Sequence, residues 1–107
     1  MNDLQEQVKH IADEITAGTF EHEEAEEEGR DPNGFDYIRD ALDIQYTVSG
    51  SKDYLGARIL VTFGGPNIWI DTRTKTVEGY WWDGKAEAGY VDTLNLDDVC
   101  CELYEMI

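Results

Sequence analysis

Two cysteines, two histidines and 24 carboxylates are the groups in this 107-residue chain that could carry chemistry. The cysteines, Cys100 and Cys101, are adjacent. On a helix they point about 100° apart and cannot bridge each other without breaking it. Neither a CxxC spacing nor a neighbouring histidine supports a metal or redox role, so Cys100 is expected in the core and Cys101 on a helix flank. The run His22-Glu23-Glu24-Ala25-Glu26 begins like a zinc-protease helix but lacks the second histidine four residues on. No calcium-loop spacing, Gly-x-Ser-x-Gly turn or phosphate-binding loop is present. A carboxylate pair could act as general acid and base, but abundance is not positioning, and catalysis needs a pocket and shifted pKa values. No catalytic residue, no metal site and no cofactor is therefore expected.

What the carboxylates do carry is charge. Against 8 basic residues they leave a net charge of −16. That excludes direct binding of nucleic acid through a basic surface and argues against an anionic membrane. No run approaches the roughly 18 to 20 apolar residues of a membrane span, and no signal peptide opens the sequence. The protein is expected to be cytoplasmic. With 41% hydrophobic and 11% aromatic residues, the chain can build one core, which suits a single domain.

The elements that must position these groups follow from hydrophobic period. Leu4, Val8, Ile11 and Ile15 recur at helical spacing, with Asp3 as N-cap and Gly18 as stop. The next stretch holds Glu21, Glu23, Glu24, Glu26, Glu27 and Glu28 before Gly29. Like charges four apart oppose a helix there and propensity favours one; a short helix is expected, with disorder as the alternative. Asp31-Pro32 reads as the start of a third helix running to about Asp43, with Phe35, Ile38 and Leu42 as its apolar stripe. The period then changes to two. Strands are expected at about 44–48, 57–63, 68–72, 76–82 and 85–91, with Asp83-Gly84 as a hairpin signal. A last helix, capped by Thr93 or Asn95, carries Leu96, Val99, Cys100, Leu103, Tyr104 and Ile107. The fold class is α+β: an antiparallel meander of four to five strands, with N-terminal helices and a C-terminal helix packed on one face. Its parts are an acidic helical segment 1–43, a meander 44–91 and a helix 94–107.

The charge is not spread evenly. Through Asp53 the chain has 15 acids and 4 bases, net −11; the remainder has 9 and 4, net −5. On the third helix Asp36, Asp40 and Asp43 lie at i, i+4 and i+7, and on the last helix Asp98, Glu102 and Glu105 repeat that spacing. Each stripe sets carboxylates roughly 4.5 to 6 Å apart along its axis, at a cost in like-charge repulsion that mere solubility does not require. A compact chain of this length is about 33 Å across, and duplex DNA of that length carries about 20 phosphate charges. The 24 carboxylates are of the same order. A surface of that density could occupy a groove built for DNA. The residues expected to make it are Glu23, Glu24, Glu26, Glu27, Glu28, Asp36, Asp40, Asp43, Asp98 and Glu102.

Aromatic residues offer a different surface. Tyr80 and Trp82 share one face of a strand and Trp81 takes the other, while Trp69 lies opposite Ile68 and Ile70. If the helices cover one face, Trp69, Tyr80 and Trp82 line the open one. They would serve there in cross-strand packing, or as anchors for a partner protein or a homodimer.

The segment Gly64-Gly65-Pro66-Asn67-Ile68-Trp69-Ile70-Asp71-Thr72, followed by Val77-Glu78-Gly79-Tyr80-Trp81-Trp82, resembles small acidic accessory proteins of phages and conjugative elements. The resemblance covers about a third of the chain. That group includes anti-restriction and anti-CRISPR proteins, many of which mimic DNA. The resemblance implies a non-enzymatic inhibitor whose partner is a basic nucleic-acid-binding protein or complex, such as a CRISPR effector or restriction enzyme. The alternative is an adaptor or dimerising module that binds through the aromatic residues.

Overall fold

The computed structural model describes residues 3–82 and 84–107. The order of elements is α1 (Asp3–Ala17), α2 (Glu23–Glu27), α3 (Gly34–Ile38), β1 (Asp43–Val48), β2 (Tyr54–Thr62), β3 (Asn67–Asp71), β4 (Thr76–Trp81), β5 (Gly84–Gly89) and α4 (Leu96–Glu105). The five strands form one antiparallel sheet in sequence order, so the fold is α+β. Helix α1 packs across β4 and β5, and α4 across β2.

The period-two pattern sets the register. Ile44, Ile59, Ile70, Val77 and Ala88 are lateral partners from edge to edge. They face the helices, whose Leu4, Val8, Ile15, Leu96 and Val99 complete the core. Val8 and Ile15 are fully buried, and each such side chain contributes roughly 1.5–3 kcal/mol. Helix α1 lies close because Gly79 has no side chain: a Cβ there would come within 2.7 Å of both Leu4 and Val8.

The glutamate run forms a helix of little more than a turn. His22 caps it, its Nδ1 accepting from the Ala25 amide at 3.2 Å. Gly29 (φ +70°) ends it, with its own amide bonded to the Glu26 carbonyl and the Arg30 amide to that of Ala25. This is a Schellman closure, in which a residue without Cβ takes the left-handed position.

The third helix is much shorter than its apolar stripe suggests. Its N-cap is Asn33, not Asp31, and it stops at Ile38. Beyond it the Leu42 amide bonds to the Leu60 carbonyl at 2.9 Å, and Asp43 already pairs in β1. Sheet pairing and the turn before it thus take over residues that would otherwise have made about one and a half further helical turns. Other boundaries differ by a few residues: β2 begins at Tyr54, and β5 covers Gly84–Gly89. Asp3 lies inside α1 rather than capping it. Neither Thr93 nor Asn95 caps α4 through its side chain. The Asp92 carboxylate accepts from the amides of Leu96 (2.7 Å) and Asp97 (3.1 Å), while Asn95 takes a left-handed φ of +59°. Thr93 donates instead to the Thr16 carbonyl, tying the end of α1 to this loop. Ile107, expected on the apolar face of α4, is 88% exposed beyond the helix end.

Candidate functional site

The ten acids expected to form one surface divide into three groups. Asp36 is withdrawn from it. Its carboxylate accepts from both terminal nitrogens of Arg30, at 2.7 and 3.1 Å, and from the Asn33 amide at 2.8 Å. Asn33 in turn accepts from the Asp36 amide, completing a capping box. The Arg30 guanidinium, then the Asn33 amide, hold this carboxyl well below the usual carboxylate range. It is buried, charged and fully engaged, so the expectation that Asp36 meets a partner is corrected. Glu28 also receives Arg30, at 2.6 Å, and Glu24 is paired with Arg39. Arg30 and Arg39 therefore hold three of the ten.

Asp40 and Asp43 form the second group. The stripe that was to join them to Asp36 does not exist, because α3 ends before either. Asp40 is exposed in the turn. Asp43 lies in the edge strand β1 opposite Leu60, on the side of the sheet away from Ile44 and the helices.

Glu23, Glu26, Glu27, Asp98 and Glu102 make the third group. All five are exposed, and among the described residues none of them forms an ion pair. Asp98, Glu102 and Glu105 do lie at i, i+4 and i+7 on one helix. Helix α3 joins α2 to α4: Arg39 at its end holds Glu24, and its Phe35 shares a shallow cleft with Asp98 and Glu102. Helices α2 and α4 are thus both linked to α3.

The sheet's other face is covered by its own side chains. Asp43, Leu60, Trp69, Glu78 and Glu87 form a lateral row across it. The Arg58 guanidinium sits 4.5 Å from the Trp69 ring centre and donates to Glu78 at 3.2 Å. Lys85 lies over the Tyr80 ring at 5.8 Å. Trp69 and Tyr80 are accordingly only half-exposed.

Trp82 does not share a strand face with Tyr80, because β4 ends at Trp81. Trp81 pairs with Gly84 across the hairpin, leaving Trp82 in the turn at φ +56° with 91% of its surface exposed. The hairpin signal Asp83-Gly84 falls partly outside the described residues, since Asp83 is not among them. A left-handed backbone costs a residue other than glycine roughly 1–2 kcal/mol. In a meander, alternate turns lie at the same end. The β2–β3 and β4–β5 turns therefore share one end, which holds exposed Phe63 (72%), Trp81 (42%) and Trp82. Neither Phe63 nor Trp81 was singled out from sequence, although the alternation of turns would have placed them together.

No protein-family model, curated protein or solved structure matches this chain.

The thiols sit as expected. Cys100 is buried, and burial first, with Asp97 and Asp92 nearby, pushes its pKa up to about 12. Desolvation and the acids of α4 also raise Cys101. Both are poor nucleophiles near neutrality. Tyr54 donates to Asp97 at 2.8 Å, and the Thr72 hydroxyl accepts from the Ala57 amide at 2.9 Å, so this polar cluster beneath α4 is engaged in holding the fold. Among the described residues, no group of three or more His, Cys, Asp and Glu side chains could hold a metal ion. No helix among them is long and apolar enough to cross a membrane.

Proposed function

We propose that this protein is a non-enzymatic inhibitor that acts in the bacterial cytoplasm. It presents the acids of α2 and α4 to the basic nucleic-acid-binding groove of a host defence nuclease, either a CRISPR effector or a restriction enzyme. The observation that carries the reading is that Glu23, Glu26, Glu27, Asp98 and Glu102 stay exposed, with no ion pair among the described residues, on two helices linked through α3. Each would release water and counterions on meeting a cationic groove, and the net charge of −16 would steer the encounter. Three acids held by arginine, and Asp40 and Asp43 lying off α2 and α4, narrow the expected surface from ten residues to five, because a carboxylate already held by arginine offers a partner little.

The test is DNA cleavage by purified restriction enzymes and CRISPR effector complexes, with and without the protein, at two salt concentrations. Inhibition of at least one is expected, weakening as salt rises and as competing duplex DNA is added. Reversing Glu23, Glu26, Glu27, Asp98 and Glu102 together should weaken it on the order of 100-fold. A charge-reversed protein that inhibits as well as the original, or no inhibition of any enzyme, overturns the reading. An aromatic docking face on the sheet is the weaker reading, because Arg58 and Lys85 already lie over Trp69 and Tyr80.

A further inference from the structure

We infer that the Trp81–Trp82 turn is an arginine-stacking anchor, whose indoles receive guanidinium groups of the cationic partner. The inference builds on the partner proposed above but concerns a different surface.

Three observations carry it. First, Trp82 has a backbone that favours glycine or asparagine, and its ring lies almost wholly in solvent. A two-residue hairpin turn is ordinarily filled by small residues that accept positive φ. An indole there works against the free protein twice, through backbone strain and through exposed apolar surface, and packing in the chain offsets neither. Such conflicts mark functional positions.

Second, the chain contains its own example of what its indoles hold. Trp69 carries Arg58 on its ring, and the arginine is held in place by Glu78. Trp81 and Trp82 are exposed, and the first turn of α1 lies toward the same end. Gly79 faces Leu4 and Val8, so Trp81, two residues further along the same side, lies toward the start of α1, where Asp3 and Glu6 stand. The first turn of α1 thus sets acids toward Trp81, as Glu78 stands beside Trp69.

Third, the charge selects the occupant. A protein at −16 disfavours a second copy of itself and an anionic lipid surface, and favours a basic partner. Arginine suits an indole better than lysine does, because its planar guanidinium stacks on the ring while still bonding a carboxylate.

The experiment uses the whole protein and two fluorescent probes, a decaarginine and a decalysine peptide, at low and high salt. The wild type should bind decaarginine about fivefold more tightly than decalysine. Trp82→Asn should lose that preference while keeping its affinity for decalysine, and its melting temperature should rise by about 4 °C as the strain is relieved. Trp81→Ala should lose part of the preference. Equal binding of the two peptides by the wild type overturns the anchor and leaves the acidic surface standing. Undiminished decalysine binding after reversal of the five helical acids overturns the acidic surface instead. A fall in melting temperature for Trp82→Asn would make the ring structural. A wild-type dimer that Trp82→Asn renders monomeric would assign the turn to a second copy. Either result overturns the anchor.

Discussion

Asp36, Asp40 and Asp43 repeat the i, i+4, i+7 spacing of Asp98, Glu102 and Glu105, yet only the second triplet lies along one helix. In the first, Arg30 and the Asn33 cap take Asp36 into the fold, and β1 claims Asp43. In the second, the Asp92 carboxylate caps α4 and the helix runs on through Glu105, leaving the three acids in solvent. The same spacing thus yields a structural clamp in one region and an open anionic stripe in the other. What separates them is a nearby cation and a competing strand.

The largest effect should come from breaking the clamp. Asp36→Ala removes a two-pronged ion pair and half of a capping box, and should lower the melting temperature by about 10 °C, read by circular dichroism at pH 7. Glu102→Ala should shift it by no more than about 2 °C. Because Arg30 and Asn33 depress the Asp36 pKa in the folded state, its contribution is complete above the ordinary carboxylate range and is lost as pH falls below it. Asp36→Asn should therefore show a shallower loss of stability on acidification. Equal melting of Asp36→Ala and wild type would erase the distinction between the two triplets.

A smaller effect tests what keeps α4 helical. Asp92→Ala should cost about 1–2 kcal/mol in urea unfolding, by leaving the Leu96 and Asp97 amides without their partner. Asn95→Ala removes no cap bond and should cost less. If Asn95 proves the more costly of the two, the capping assignment is wrong.

The smallest effect concerns the stripe's own repulsion. Glu102→Lys should raise stability by a few tenths of a kcal/mol, because it turns a like-charge i,i+4 contact with Asp98 into an attractive one and favours the helix C-terminus. Adding 0.5 M sodium chloride should raise the wild-type melting temperature and narrow its gap to this variant. A gap unchanged by salt would show that repulsion along α4 is negligible.

Much of the architecture was legible. The alternation from Ile44 to Val48, the Gly64-Gly65-Pro66-Asn67 turn and the stripe Leu96, Val99, Cys100 located strands, turn and helix to within a few residues. The Asn33-x-x-Asp36 pattern was a readable capping box and would have warned that Asp36 was occupied. Arg39's pairing with Glu24 had no such signal, since it joins two short helices across a loop. Trp82 misled for a local reason: strand alternation was carried one residue too far, past the point where the hairpin turns. Of the ten acids of the candidate surface, three are held by arginines through contacts that mostly left no mark in the local sequence.

Periodicity and turn residues settle backbone hydrogen bonding over a few positions, and so they were enough for an α+β meander. Composition was enough for the net charge. Which carboxylates remain available, and which rings face water, depend on contacts that form only when distant segments meet. Coulomb attraction and ring burial act over a few ångströms of space, whatever the separation along the chain. Arg58 reaches Trp69 and Glu78 only because β2, β3 and β4 lie side by side, and Trp82 stands in solvent only because β4 ends one residue before it.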